Sequence, residues 1–94
     1  MSLAAIAEGM RPALSGQVFP GSLKFDCGKK GVIVLADGTA TTEDRDTDCT
    51  IAISVENLEK LLAGKLNPML AMATGKMSLS GNPAVAMGMA KLLG

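Results

Sequence analysis

The stretch Asp48-Cys49-Thr50-Ile51-Ala52-Ile53-Ser54-Val55-Glu56-Asn57-Leu58-Glu59-Lys60-Leu61-Leu62 changes its apolar period halfway along. Through Ile53 the side chains alternate, with Cys49, Ile51 and Ile53 on the core side, as in a half-buried strand. From Val55 the apolar positions Leu58, Leu61 and Leu62 recur at three and four, the stripe of a helix. Ser54 stands where an N-cap belongs, since its hydroxyl can accept from an N–H that the first turn leaves unpaired. Gly64 marks the helix end. One fold therefore holds strands and helices in close succession.

Downstream, Asn67-Pro68 repeats the start signal, an N-cap followed by proline at the first helical position, and opens a helix that closes at Gly75. Met77 and Leu79 alternate with Lys76, Ser78 and Ser80, which predicts a final strand, and Asn82-Pro83 opens a last helix to Leu93. Cap chemistry alone accounts for the echo between the two Asn-Pro pairs. Upstream, Leu23, Phe25 and Cys27 alternate with Lys24 and Asp26, a strand over 22–27. Gly28-Lys29-Lys30-Gly31 turns it into Val32-Ile33-Val34-Leu35. Asp37-Gly38, the favoured pair for a tight hairpin, leads into a more exposed Thr39-Ala40-Thr41-Thr42, so these strands form an antiparallel meander. Leu3, Ile6, Ala7, Met10 and Leu14 predict a short N-terminal helix over 2–15, interrupted near Pro12. No Ser/Gly/Pro linker divides the chain, and residues 1–94 read as one domain.

Composition excludes much chemistry. Of 94 residues 48% are hydrophobic and 19% charged, and nine basic side chains balance nine acidic ones, which argues against disorder or a polycation. Without His, Trp or Tyr the chain lacks the commonest general base and zinc ligand. Nucleic-acid binding has neither net charge nor stacking aromatics beyond Phe19 and Phe25. Two cysteines are too few for a stapled secreted domain, and the N-terminus lacks a basic signal-peptide region, so a reducing, cytoplasmic setting is expected. No apolar run approaches the eighteen or so residues that span a bilayer.

The remaining motifs carry little. Asp44, Asp46 and Asp48 copy the first ligand positions of a calcium loop, but Cys49 replaces the required glycine and Val55 the bidentate glutamate, leaving a solvated turn. Cys27 and Cys49 point inward and have no partner to lower a thiol pKa, so they read as small buried hydrophobes. Gly75-Lys76 lacks the remaining positions of a phosphate loop. No catalytic residue, metal site or cofactor is expected. The informative region is the last third, where Met69, Met72, Met77, Met87 and Met89 lie among Leu and Ala. The final helix is apolar almost all round, and such a helix needs apolar surroundings on more than one side. Methionine filling core gaps is the plainer explanation. Gly88 within that helix points to a movable element or to close packing.

Taken in order, Asp48-Cys49-Thr50-Ile51, the short helix, Gly64-Lys65-Leu66-Asn67-Pro68, Ala71, Gly75-Lys76-Met77-Ser78-Leu79-Ser80-Gly81-Asn82 and Ala86-Met87 resemble the C-terminal half of the sterol carrier protein 2 sterol-transfer domain. The resemblance covers residues 46–93 firmly and 16–45 more loosely. It implies an α/β (α+β) domain in which helices cover a five-stranded, mostly antiparallel sheet. It also implies a cavity for sterols, fatty acyl chains or other lipids between the sheet and the C-terminal helices, and no catalysis. Carried onto this chain, the lining would be Phe25, Ile33, Leu35, Ile51, Met69, Met72, Ala73, Met77, Val85, Met87 and Met89. Ile33 and Leu35 are preferred over Val32 and Val34 by pleat alternation. Met72-Ala73 stands where relatives often carry paired aromatics. The chain ends Lys91-Leu92-Leu93-Gly94 instead of a Ser-Lys-Leu-like peroxisomal address, so a bacterial, cytoplasmic protein is expected.

The expected partners are a lipid or fatty acyl ligand and a transient membrane contact, with no nucleic acid, for a monomer or weak homodimer. A rival reading makes the methionine-lined groove a protein interaction or dimerisation surface. A lipid-modifying enzyme would have only Cys27, Cys49 and scattered serines as nucleophiles, with no base beside them.

Overall fold

Asp37 adopts φ 54° and Gly38 φ 81°, the pair of left-handed conformations that lets a two-residue turn match strand twist. In the computed structural model, which describes residues 2–93, this turn joins β2 (Val32–Ala36) to β3 (Thr39–Thr41). β1 (Leu23–Asp26) reaches β2 through a single 3-10 turn at Gly28–Lys30, so β1, β2 and β3 form the expected antiparallel meander. β4 (Cys49–Ile53) then joins the free side of β1 in parallel, and β5 (Met77–Gly81) pairs antiparallel to β4. The order is β3-β2-β1-β4-β5, a five-stranded sheet with one parallel pair.

Register decides what faces inward. Leu23, Phe25, Ile33, Leu35, Ala40, Cys49, Ile51, Ile53, Met77 and Leu79 share one face, so pleat alternation does place Ile33 and Leu35 with Phe25. That face forms one buried cluster with α1 (Leu3–Leu14), α2 (Val55–Leu62), α3 (Pro68–Ala73) and α4 (Pro83–Leu93). The domain is thus a sheet covered on one side by helices. α1 lies over β2 and β3, where Arg11 Nε donates to the Ala40 carbonyl at 2.9 Å. α4 crosses β1 and β4 beside α1, and α3 rests on edge strand β5.

The capping expectations are met atom by atom. Ser54 Oγ accepts from Asn57 N–H at 3.1 Å, and Asn67 Oδ1 from Met69 N–H at 2.9 Å. Asn82 Oδ1 accepts from Ala84 N–H at 2.9 Å. One expectation fails. α1 is not interrupted at Pro12 but runs through it to Leu14. The proline sits in the last turn, where its missing N–H costs a single helix bond. β2 is buried on both faces, with Val34 1% exposed. The connection 42–48 must pass β2 and β1 to reach β4, and Lys24, beside Val34 in register, pairs there with Asp44 at 2.6 Å. Val34 therefore lies on the sheet face that this connection crosses, beside Lys24. Among the described residues no helix is long and apolar enough to cross a membrane.

Candidate functional site

Ala5, Gly9 and Ala13 fall four residues apart, which stacks three small side chains on one face of α1. Leu62 at the end of α2 and Ala63 just after it stand opposite them across a gap. Between them lies an apolar groove of about 430 Å³, and among the described residues Glu59 is the one charged residue in its wall. A Cβ at Gly9 would meet nothing within 4 Å. Ile6 and Met10 form the groove floor and belong to the same buried cluster as the inner sheet face. The volume falls within the roughly 300–1,000 Å³ typical of small-ligand sites.

Seven of the eleven expected lining residues, Phe25, Ile33, Leu35, Ile51, Met77, Val85 and Met89, come together in that cluster. The other four do not: Met69 is 81% exposed, Met87 69% and Met72 46%, and Ala73 is also exposed. The cause is placement. α3 has six residues and reaches the core through Ala71 alone, while Met87 points away on the outer side of α4. Beneath α4 the packing is close, with Met89 fully buried. A Cβ on Gly88 would stand 2.6 Å from Pro20 Cγ, so this glycine serves close approach to the 20–21 loop. The groove residues of α1 escaped the sequence reading, although the four-residue spacing of Ala5, Gly9 and Ala13 was the available signal.

A second, polar concavity of about 370 Å³ opens at one end of the sheet, where Cys27, Ile53, Ser54, Lys76 and Met77 meet. It holds no activated nucleophile. Burial pushes the Cys27 thiol up, and the neighbouring Asp26 carboxylate adds to the effect. Burial also raises Cys49, against the opposing pull of the Ala86 and Thr50 backbone N–H groups. Thiols raised in this way stay protonated at neutral pH and attack poorly. Two acids of the 43–48 turn, Asp44 and Asp48, have structural partners. Asp48 Oδ2 accepts from the Ser22 N–H at 3.0 Å, and Asp44 holds Lys24. Among the described residues no polar or charged side chain is buried, so the interior can recognise a ligand only by shielding it from water.

A five-stranded sheet covered by helices, with an apolar groove open between α1 and α2, defines a two-layer α+β domain. The chain belongs to the SCP-2 sterol transfer family, whose profile matches residues 7–94. It is 35% identical over 78 residues to sterol carrier protein 2 of Gallus gallus, covering 77% of this chain and 14% of that protein. It therefore spans about one-seventh of that relative's length. Among solved structures, sterol carrier protein 2 from Aedes aegypti in complex with palmitate matches with a TM-score of 0.76 at 19% identity, covering 99% of this chain and 96% of that one. The sec-alkylsulfatase Pisa1 from Pseudomonas sp. matches with a TM-score of 0.63 at 19% identity, covering 87% of this chain and 14% of the enzyme. The fold thus occurs both as a small protein bound to a fatty acid and as a minor part of an enzyme chain.

Proposed function

We propose that this chain binds and transfers hydrophobic ligands, a sterol, fatty acyl chain or other lipid, without catalysis. The observation that carries this reading is the apolar groove between α1 and α2, floored by Ile6 and Met10 of the buried cluster. An acyl chain laid in the groove extends between the helices and the sheet as they ease apart. Phe25, Ile33, Leu35, Ile51, Met77, Val85 and Met89 then line it. Met69, Met72, Ala73 and Met87 join the lining only when α3 and α4 shift inward. Methionine suits that role, because an unbranched thioether repacks around ligands of different shape. Burying ten methylenes gives about 8 kcal/mol of gross transfer free energy, and association and ordering take back several, so binding weaker than micromolar is expected.

The test fills the groove. Gly9→Leu should weaken displacement of a fluorescent fatty acid about tenfold or more, whereas Gly9→Ala should leave it near wild type. Equal affinity for Gly9→Leu and wild type would place the ligand elsewhere. The exposed methionines of α3 favour a second reading, an interaction or dimerisation surface. Native mass spectrometry separates the two: a monomer carrying lipid mass supports carriage, and a ligand-free dimer indifferent to added fatty acid supports the interaction surface.

A further inference from the structure

A net charge of zero conceals a divided chain. Up to Glu59 there are nine acidic side chains against five basic ones; after it come Lys60, Lys65, Lys76 and Lys91 and no acid at all. Two of these lysines bracket α3, and Lys60 lies in the last turn of α2 before them. Lys65 N–H donates to the Lys60 carbonyl at 2.8 Å just before the helix, and Lys76 N–H donates to the Ala71 carbonyl at 2.8 Å just after it. Between them Met69, Leu70 and Met72 stand in water, with Leu70 63% exposed, while Ala71 fastens the helix to the core. Exposed apolar side chains flanked along the chain by exposed cations on long stems suit the boundary between lipid headgroups and acyl chains.

We propose that α3 and its flanking lysines dock this protein on an anionic lipid bilayer. Charge selects that occupant. Two copies meeting through the same patch would oppose lysine to lysine, whereas an anionic leaflet attracts each of them. Position agrees as well, since the groove wall ends at Leu62 and Ala63, directly before Gly64 and Lys65, so a docked α3 brings the groove to the bilayer. The purpose of docking rests on the carrier reading; the docking itself does not.

The experiment is co-sedimentation of the whole chain with two sets of vesicles, pure phosphatidylcholine and phosphatidylcholine containing about one-third phosphatidylserine. Wild type should partition onto the anionic vesicles and detach as salt rises. Each lysine near the surface is worth about fivefold, so Lys65→Gln/Lys76→Gln should weaken partitioning about twentyfold. Leu70→Ser should weaken it about tenfold, with the far-ultraviolet circular dichroism unchanged. Lys29→Gln/Lys30→Gln, which removes the same charge at the 3-10 turn, should leave partitioning near wild type. Wild type that ignores phosphatidylserine would overturn docking, and so would a 3-10 turn variant that loses as much as the α3 variant. Retention on an acidic polypeptide resin without vesicle binding would assign the patch to a protein partner instead. Fatty-acid affinity in solution, measured on Lys65→Gln/Lys76→Gln, keeps the two ideas apart. Loss of vesicle binding with that affinity intact supports docking, and intact affinity with no docking in wild type rejects docking while leaving carriage in place.

Discussion

α3 and α4 are assembled from nearly the same residues and end up in opposite environments. Each opens on Asn-Pro with the asparagine side chain capping the first turn, and each is rich in Ala, Met and Leu. α4 buries Val85, Ala86 and Met89, whereas α3 buries Ala71 alone. The difference lies in what runs beneath. α4 crosses the sheet over β1 and β4 and leans on α1, while α3 is six residues long and sits on the edge strand β5. Burial is set by the strand a helix covers, and apolar composition alone does not reveal it.

The contrast is sharpest in a pair of truncations. Met89→Ala should cost about 2–5 kcal/mol in urea denaturation, because it empties a fully buried site that the close packing under α4 cannot refill. Met69→Ala should stay within about 0.5 kcal/mol, as surface changes do. A large loss at Met69 would mean that the outer face of α3 is covered in solution and that the two helices do not differ.

Two glycine substitutions reach the same difference between tight and loose contacts from another side. Alanine is favoured over glycine by about 1 kcal/mol inside a helix. At Gly88 the added methyl would stand 2.6 Å from Pro20 Cγ and 3.2 Å from its Cβ, so Gly88→Ala should lose about 1–2 kcal/mol despite that preference. At Gly9 the methyl meets open space, so Gly9→Ala should gain about 0.5–1 kcal/mol. Thermal melts of both variants check the pair. Stabilisation by Gly88→Ala would mean that α4 is not held against the 20–21 loop and moves more freely than this packing implies.

Much of the fold was legible because it is written locally. Period changes at Ser22 and Ser54, the Asp37-Gly38 turn and the Ser54, Asn67 and Asn82 caps each act within a few residues of themselves. The parallel pairing of β4 with β1 is not local, and the family resemblance implied only a mostly antiparallel sheet. Val34 lies on the face that the connection from β3 crosses, which periodicity in β2 cannot announce. Exposure of Met69, Met72 and Met87 was missed because the same residues would serve equally as core. The groove is not legible from the periodic Leu3, Ile6, Met10 and Leu14, because a space is made by the residues that do not fill it, Ala5, Gly9 and Ala13.

The outer sheet face shows the smallest expected effect and the same rule in another form, since there a charged pair does the covering that a helix does inside. The Lys24 side chain is only 17% exposed, and the Asp44 carboxylate caps it. That hydrogen bond from Lys24 holds the Asp44 carboxyl below the usual carboxylate range. A folded-state pKa below the unfolded one means that the stabilisation is complete above the ordinary carboxylate pKa and disappears as pH falls through the depressed value. Asp44 lies in water, so the effect is screened and small. Asp44→Asn should melt slightly below wild type at neutral pH, and the gap should narrow to nothing on acidification and shrink in salt. A gap that survives in strong acid would show that shape, and not the ion pair, holds the connection 42–48 across this face.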